Sequence, residues 1–272
     1  MTSKKRIFKK GSTTYYNSSV FFPKEIRKDV FTLYAYVRTA DDLVDSIPQK
    51  KKEFQEFQEQ THDALKGKKT NNYIIDDFAE LSKRKEFRKT WIDAFLQAME
   101  SDLKQVKLKK LEETEKYIYG SAEVIGLFMA KIMSLDKKSY KSAMILGKAM
   151  QYINFIRDIK EDAERGRTYL PLNEAKKTGL ENLEIQTIET SKEAFTLFIK
   201  QQIQRFYEYD KEARKGFKHI PKKYLVPIKT AQDMYYWTAK KIEKNPLIVL
   251  QKKVKPRKCR IIITIIKNYF RK

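Results

Sequence analysis

Two segments of this chain set aspartates four residues apart. Asp41 and Asp45 lie in Tyr34-Ala35-Tyr36-Val37-Arg38-Thr39-Ala40-Asp41-Asp42-Leu43-Val44-Asp45, and Asp158 and Asp162 in Gln151-Tyr152-Ile153-Asn154-Phe155-Ile156-Arg157-Asp158-Ile159-Lys160-Glu161-Asp162. Residues three and four apart share a helix face. Tyr34, Arg38, Asp41 and Asp45 therefore form one polar stripe, and Gln151, Asn154, Asp158 and Asp162 another. Spacing alone is weak, because 14 aspartates in 272 residues give about 0.7 such pairs by chance. Context decides. The second stripe runs through Met144, Ile145, Leu146, Met150, Ile153, Phe155, Ile156 and Ile159, so its helix is expected to be mostly buried. Buried carboxylates demand counter-charge. Arg38 and Arg157 supply part of it, and two structural ion-pair networks are one reading. Metal is the better one. Mg²⁺ takes oxygen ligands, using one or two carboxylates together with waters and substrate phosphates. Two facing pairs would hold a Mg²⁺ cluster for a diphosphate, help its C–O bond break and leave an allylic cation. Aromatic faces stabilise such a cation, although most of the 16 Tyr, 16 Phe and 2 Trp must be core.

These stripes need long helices to position them, and the chain supplies the pattern. Gly and Pro number only 8 and 7, which points to long helices with short connections. A helix is expected from after Pro23 to about Ser46, before Pro48. Others are expected over roughly 50–66, 73–82, 86–104, 109–134 and 138–164, and, after a loop with Gly166 and Pro171, over 190–216 and 222–244. There is no strand-turn-strand signature, Gly/Ser linker or internal repeat. One all-α domain over 1–272 is the expectation, with a basic and apolar tail at about 254–272.

Composition narrows the partners. The single Cys259 excludes an intramolecular disulfide and a Cys-based zinc cluster, making a cytoplasmic setting the default. Residues 1–10 are basic without the apolar core of a signal peptide, and no run of 18 apolar residues exists. The net charge of +23 is spread broadly, as lysines on solvated helix faces. Attraction to an anionic membrane ranks next, and no specific nucleic-acid partner is expected. His62 and His219 have no motif neighbours, and dinucleotide, Walker and nucleophile-elbow motifs are absent.

The chain resembles the squalene/phytoene synthase family over nearly its whole length. The family's first aspartate-rich motif is similar to Tyr34…Arg38…Asp41-Asp42-Leu43-Val44-Asp45. Its long second signature is similar to Gln151…Asn154…Arg157-Asp158…Asp162 followed by Gly166-Arg167-Thr168-Tyr169-Leu170-Pro171. Ser12-Thr13-Thr14-Tyr15, the helix of Phe95 to Leu103, Tyr117-Ile118-Tyr119-Gly120 and Tyr235 echo further family elements in order. The resemblance implies an all-α isoprenoid-synthase bundle around a central cavity, with prenyl diphosphates as substrates. It implies Mg²⁺–diphosphate binding by Asp41, Asp45, Asp158 and Asp162, with Asn154 as a further metal ligand. Arg38, Arg157 and Arg167 would serve the diphosphate, Ser12 and Thr14 would close over it, and Gln151 would line the site. Tyr34, Tyr117 and Tyr235 would flank diphosphate or cation. The implied reaction passes through a cyclopropyl diphosphate, after which squalene synthases reduce the second cation with NADPH and phytoene synthases lose a proton.

Three departures stand out. Thr13 replaces a common Lys, Glu123 replaces a small Gly, and Lys252 stands for a C-terminal Arg, keeping charge without the bidentate fork. The motif details resemble phytoene synthases more than squalene synthases. Small Ser18 and Ser19 near the inferred cavity wall agree, favouring two geranylgeranyl (C20) diphosphates and phytoene. Squalene or dehydrosqualene from two farnesyl (C15) diphosphates is the alternative. The rivals are a cyclase or hydroxysqualene-forming enzyme on the same fold, and a non-catalytic basic helical binding protein. Residues 254–272 are expected either to lie on a membrane surface or to pack on the bundle.

Overall fold

The computed structural model describes residues 13–270, with side chains from Tyr16 onward. Its helices are α1 (Thr13–Ser19), α2 (Lys24–Asp45), α3 (Lys51–Leu65), α4 (Tyr73–Lys85), α5 (Lys89–Ser101), α6 (Leu111–Ile118), α7 (Val124–Ile132), α8 (Tyr140–Arg157), α9 (Ile159–Glu164), α10 (Leu172–Lys177), α11 (Ile185–Thr190), α12 (Lys192–Arg214), α13 (Lys222–Lys244), α14 (Ile248–Gln251) and α15 (Lys258–Phe270). Among the described residues no strand forms; Lys107 and Thr168 make one isolated bridge.

The long expected helices are present, and the structure interrupts two of them. The stretch expected at 109–134 carries a π-helical turn at Tyr119–Glu123 between α6 and α7. The stretch expected at 138–164 breaks at Asp158, whose φ and ψ are −101° and 10°. Asp162 N nonetheless donates to Asp158 O at 2.9 Å, so the axis bends without unravelling. Both breaks fall beside site residues. Within the tail expected as basic and apolar, Lys258–Phe270 form α15, which packs on α13 and α1.

Two apolar cores form. One gathers α2–α5 and α7 around Tyr36, Phe78, Phe95 and Phe128. The rings of Tyr36 and Phe78 stack with centroids 3.6 Å apart, and Tyr36 Oη donates to Thr61 Oγ1 at 3.2 Å. The other gathers α8, α12 and α13 around Tyr152, Ile153, Ile156, Phe198 and Phe206. Each such side chain, fully buried, stabilises the fold by about 1.5–3 kcal/mol. Helix α8 is the common element, packing against α7, the π turn, α12 and α13. Close approach requires glycine on it. A Cβ on Gly147 would strike the Ala122 carbonyl, and one on Gly126 of α7 would strike that of Ala143.

A cavity of about 300 Å³ lies at the seam of the two cores. Val30, Leu33 and Val37 of α2 wall one side, and Leu146, Met150 and Ala231 the other, with Met129, Met133, Leu135, Phe217 and Ile220 also lining it.

Candidate active site

The two stripes use the same interval. On α2, Tyr34 and Val37 line the cavity, and Asp41 and Asp45 continue their face toward the helix end. On α8, Gln151 and Asn154 line the cavity, and Asp158 and Asp162 continue theirs across the bend into α9. Tyr34 to Asp41 and Gln151 to Asp158 each span seven residues, two turns of helix. Both helices thus carry apolar wall first and carboxylates beyond it, at one end of the cavity. Asp45 raises the proton affinity of Asp162 through its charge, so the two acidic ladders meet there.

Electrostatics sort the four carboxylates. Burial, then the charge of Asp45, pushes Asp41 up to about 7, against the pull of Arg38. Burial and Asp158 hold Asp162 well above the usual carboxylate range. Burial would raise Asp158 too, but the Arg157 guanidinium and Lys253 outweigh it and hold that carboxyl low. Arg157 donates to Asp158 from Nε at 2.7 Å and from Nη2 at 2.5 Å, and Lys253 Nζ lies 3.1 Å from Asp158 Oδ1. Arg38 bridges Asp41 at 2.7 Å and Asp42 at 2.5 Å. Tyr34 is raised chiefly by burial and feels the charge of Tyr235. Tyr235 also acts on Arg157. Tyr34, Tyr235 and Arg157 are therefore one neighbourhood.

Beneath these groups lies a layer that the stripes did not reveal. The segment after Gly166 pairs with residues 106–109: Thr168 N donates to Val106 O at 2.7 Å and Leu108 N to Thr168 O at 2.9 Å. That pairing delivers Arg167 and Tyr169. Arg167, 5% exposed, donates to Asp45 Oδ1 at 2.5 Å, Val44 O at 2.8 Å and Asp102 O at 2.9 Å. Its guanidinium holds a carboxylate and two backbone carbonyls, contacts that the sequence did not reveal. Asp102, 3% exposed, accepts from Tyr117 Oη and Tyr169 Oη at 2.6 Å each. Burial pushes its carboxyl up to about 6 despite both hydroxyls. Tyr169 is fixed by stacking on Phe155 at 4.6 Å. Tyr117 accordingly supports Asp102 and does not line the cavity.

Other expected residues find these places. Lys252 is exposed, and its neighbour Lys253 makes the contacts to Asp158 and Glu161; extended backbone at Lys252 turns alternate side chains to opposite sides. Ser12 lies outside the described residues, as do the side chains of Thr13 and Thr14. Ser18 and Ser19 line the cavity. Glu123 pairs with Lys148 at 3.1 Å and is not part of the cavity wall. The site residues missed are Asp102, Lys253, Gln49, whose Nε2 donates to Val44 O at 2.9 Å and Asp102 O at 2.6 Å, and Arg165, 3.6 Å from Asp45. A lone Asp at a helix end or a second Lys in a pair carries no local signal of its partner.

The residues fit a divalent ion. Asn154 Oδ1 is buried with no hydrogen-bond partner, an acceptor left for a cation. Asp41 and Asp162 sit in an excess of negative potential that positive charge would relieve. Among the described residues no three acidic, Cys or His side chains close into a ready-made metal cage. Mg²⁺ ordinarily takes one or two carboxylates, with waters and phosphate oxygens completing its shell.

Known proteins resemble this chain in sequence and in fold. The family model for squalene/phytoene synthase matches residues 8–260. The chain is 26% identical over 245 residues to a 15-cis-phytoene synthase from Pantoea ananas, covering 86% of this chain and 79% of that protein. It is 33% identical over 183 residues to a phytoene synthase from Thermus thermophilus, covering 65% and 61%. It spans 60% of the chloroplastic phytoene synthase of an Oncidium hybrid cultivar, to which it is 27% identical over 253 residues. In fold it is similar to a dehydrosqualene synthase solved with a ligand, at TM-score 0.85 and 20% identity over 97% of this chain and 93% of that one. It is also similar to the squalene synthase HpnC from Alicyclobacillus acidocaldarius, at TM-score 0.78 and 18% identity over 89% and 92%. Matched from residue 8 to residue 260, and carrying both acidic ladders on helices that wall one apolar cavity, the chain belongs to the squalene/phytoene synthase family of prenyltransferases.

Proposed function

We propose that this protein joins two geranylgeranyl diphosphates head to head, through a cyclopropyl diphosphate, to give phytoene without a reductant. The observation that carries this reading is the matched pair of ladders, Tyr34 to Asp45 and Gln151 to Asp162, at one end of an apolar cavity. The carboxylate end suits diphosphates, and the apolar end suits prenyl chains.

Asp41, Asp45, Asp158, Asp162 and Asn154 would hold Mg²⁺. Bound there, it would supply the positive charge that lets diphosphate leave. The chain's own residues do the rest. Arg38, one-third exposed and joined to Asp41 and Asp42, is placed to exchange a carboxylate for a diphosphate oxygen. Arg157 and Lys253 hold Asp158 ionised. Arg167 fixes the end of α2 so that Asp45 keeps its direction. Tyr34, walling the cavity next to the carboxylates, presents a ring to the allylic cation. The apolar wall keeps water from that cation, which favours quenching by proton loss over hydration.

Substrate length rests on two supports. Ser18 and Ser19 on α1 leave room where larger side chains would intrude, and several relatives carry the name phytoene synthase.

The test is to incubate purified protein with Mg²⁺ and labelled C20 or C15 diphosphate, with and without NADPH, and identify the hydrocarbon. A C40 product from C20 without NADPH is expected. A C30 product would overturn the substrate and keep the reaction class. Failure to consume either diphosphate by folded protein would overturn catalysis and bring forward a basic binding protein.

A further inference from the structure

Helix α15 has two apolar faces. Ile261, Ile265 and Asn268 are buried, against Met234 and Val226 of α13. Ile262, Ile263, Ile266, Tyr269 and Phe270 point away and are about half to three-quarters exposed, with Tyr269 at 72% and Phe270 at 77%. At about 100° per residue, the exposed five make a stripe along the outer side. A surface helix packed on one face ordinarily turns polar residues outward. This one does not.

The stripe is held rigidly. Asn268 Nδ2 donates to Asp233 Oδ2 at 2.9 Å and to Thr230 Oγ1 at 3.2 Å, and Lys229 Nζ donates to Asn268 Oδ1 at 2.6 Å. Arg260 lies over the Trp237 ring at 4.9 Å. The outer isoleucines are thus displayed by a docked helix.

Charge identifies the occupant. Residues 244–272 hold ten Lys or Arg and no Asp or Glu. Exposed Lys258 flanks the stripe on one side, and exposed Arg260 and Lys267 flank it on the other. Such a rim repels a second copy of itself and complements anionic headgroups, whose acyl layer would receive the isoleucines. The interaction is peripheral, since no described helix is long and apolar enough to cross a membrane.

Position gives the surface a purpose. Helix α13 turns Pro227, Ile228 and Ala231 to the cavity while Val226 and Met234 carry α15. The cavity and α15 are therefore separated by one helix, with the stripe on the far side of α15. Helix α1, which contributes Ser18 and Ser19 to the cavity, also packs on α15.

We propose that the outer face of α15 docks this protein on an anionic lipid bilayer. The surface follows from exposure and charge. Its use, passing an apolar hydrocarbon into lipid, rests on the proposed reaction.

The experiment is flotation of the full chain with phosphatidylcholine vesicles, with and without one-third phosphatidylglycerol, at low and high salt. It needs no turnover, so protein that floats yet proves inactive would overturn the proposed reaction and leave the surface standing. Wild type is expected with the anionic vesicles, less at high salt. The triple variant Ile262→Glu, Ile266→Glu, Phe270→Glu should float at least tenfold less with an unchanged melt, because those side chains touch solvent. Should that variant unfold, Lys258→Glu with Lys267→Glu serves instead and should lose the preference for anionic vesicles. Wild type that stays with neither vesicle, or variants that float as wild type does, would overturn the proposal. A wild-type dimer by light scattering that the triple variant abolishes would overturn it in favour of self-association.

Discussion

Arg167 holds Asp45 across 122 residues of chain, Nη1 to Oδ1 at 2.5 Å. The same guanidinium takes the Val44 carbonyl, one of the last carbonyls of α2 that lack helical partners. A fork with three acceptors cannot be reproduced by an ammonium. Arg167→Lys is therefore expected to lose at least tenfold in kcat. It should lower stability by about 1–3 kcal/mol, the cost of one buried partner left unsatisfied. Thermal melts beside product formation measure both, and an unchanged kcat would show that Asp45 orients itself.

Metal binding should depend on the acceptors singled out above. Asp41→Ala and Asp162→Ala are each expected to reduce product formation by about a hundredfold or more, the scale on which removing a group that stabilises developing charge is felt. Asn154→Leu should weaken binding of Mg²⁺ with inorganic pyrophosphate, read by calorimetry without turnover. Unaltered binding would assign the buried Oδ1 to packing alone.

The raised carboxylates make a prediction about pH. In the metal-free protein burial and neighbouring carboxylates push Asp41 up to about 7, and burial pushes Asp102 up to about 6, above their unfolded values. Between the ordinary carboxylate range and these values the folded state binds more protons than the unfolded chain. Stability then falls as pH rises through that window. Asp158 works in the opposite sense, stabilising above its unfolded value and ceasing to do so below the window. The melting temperature without Mg²⁺ should decline between about pH 4 and 7, and the decline should be shallower in Asp41→Asn. A flat profile in the wild type would sink the assignment.

Cavity length offers a fourth test. Ser19→Phe places a ring against the wall beside Phe22. Turnover of C20 diphosphate should drop at least tenfold relative to C15 in competition. A variant that keeps its C20 preference would put the chain-length limit elsewhere in the cavity.

Much of this site was legible in the sequence because it is periodic. Asp41, Asp45, Asp158 and Asp162 repeat at the helix interval, and apolar neighbours give away the burial of α8. Asp102 is different in kind. Nothing near it in sequence announces the hydroxyls of Tyr117 and Tyr169 that meet it. The contacts of Arg167 were hidden for the same reason, since its partners come from residues 44, 45 and 102. Lys252 and Lys253 are indistinguishable by composition and are separated only by the extended backbone between α14 and α15. The bend at Asp158 and the π turn at Tyr119–Glu123 are likewise tertiary outcomes on segments whose local pattern reads as continuous helix. The helices themselves were plain, since few Gly and Pro interrupt them.

The contacts converging on the carboxylates come from residues 38, 45, 102, 167 and 253, and they link segments far apart in the chain. Long closures are slow to pay back their entropy, so this cluster is completed only when distant segments have already met. A partly synthesised chain that has α2 but not the segment after Gly166 has Asp45 without its clamp, and one lacking Lys253 has an under-neutralised Asp158. The carboxylate cluster is in this way a late product of folding, finished only when the last long-range closures are made.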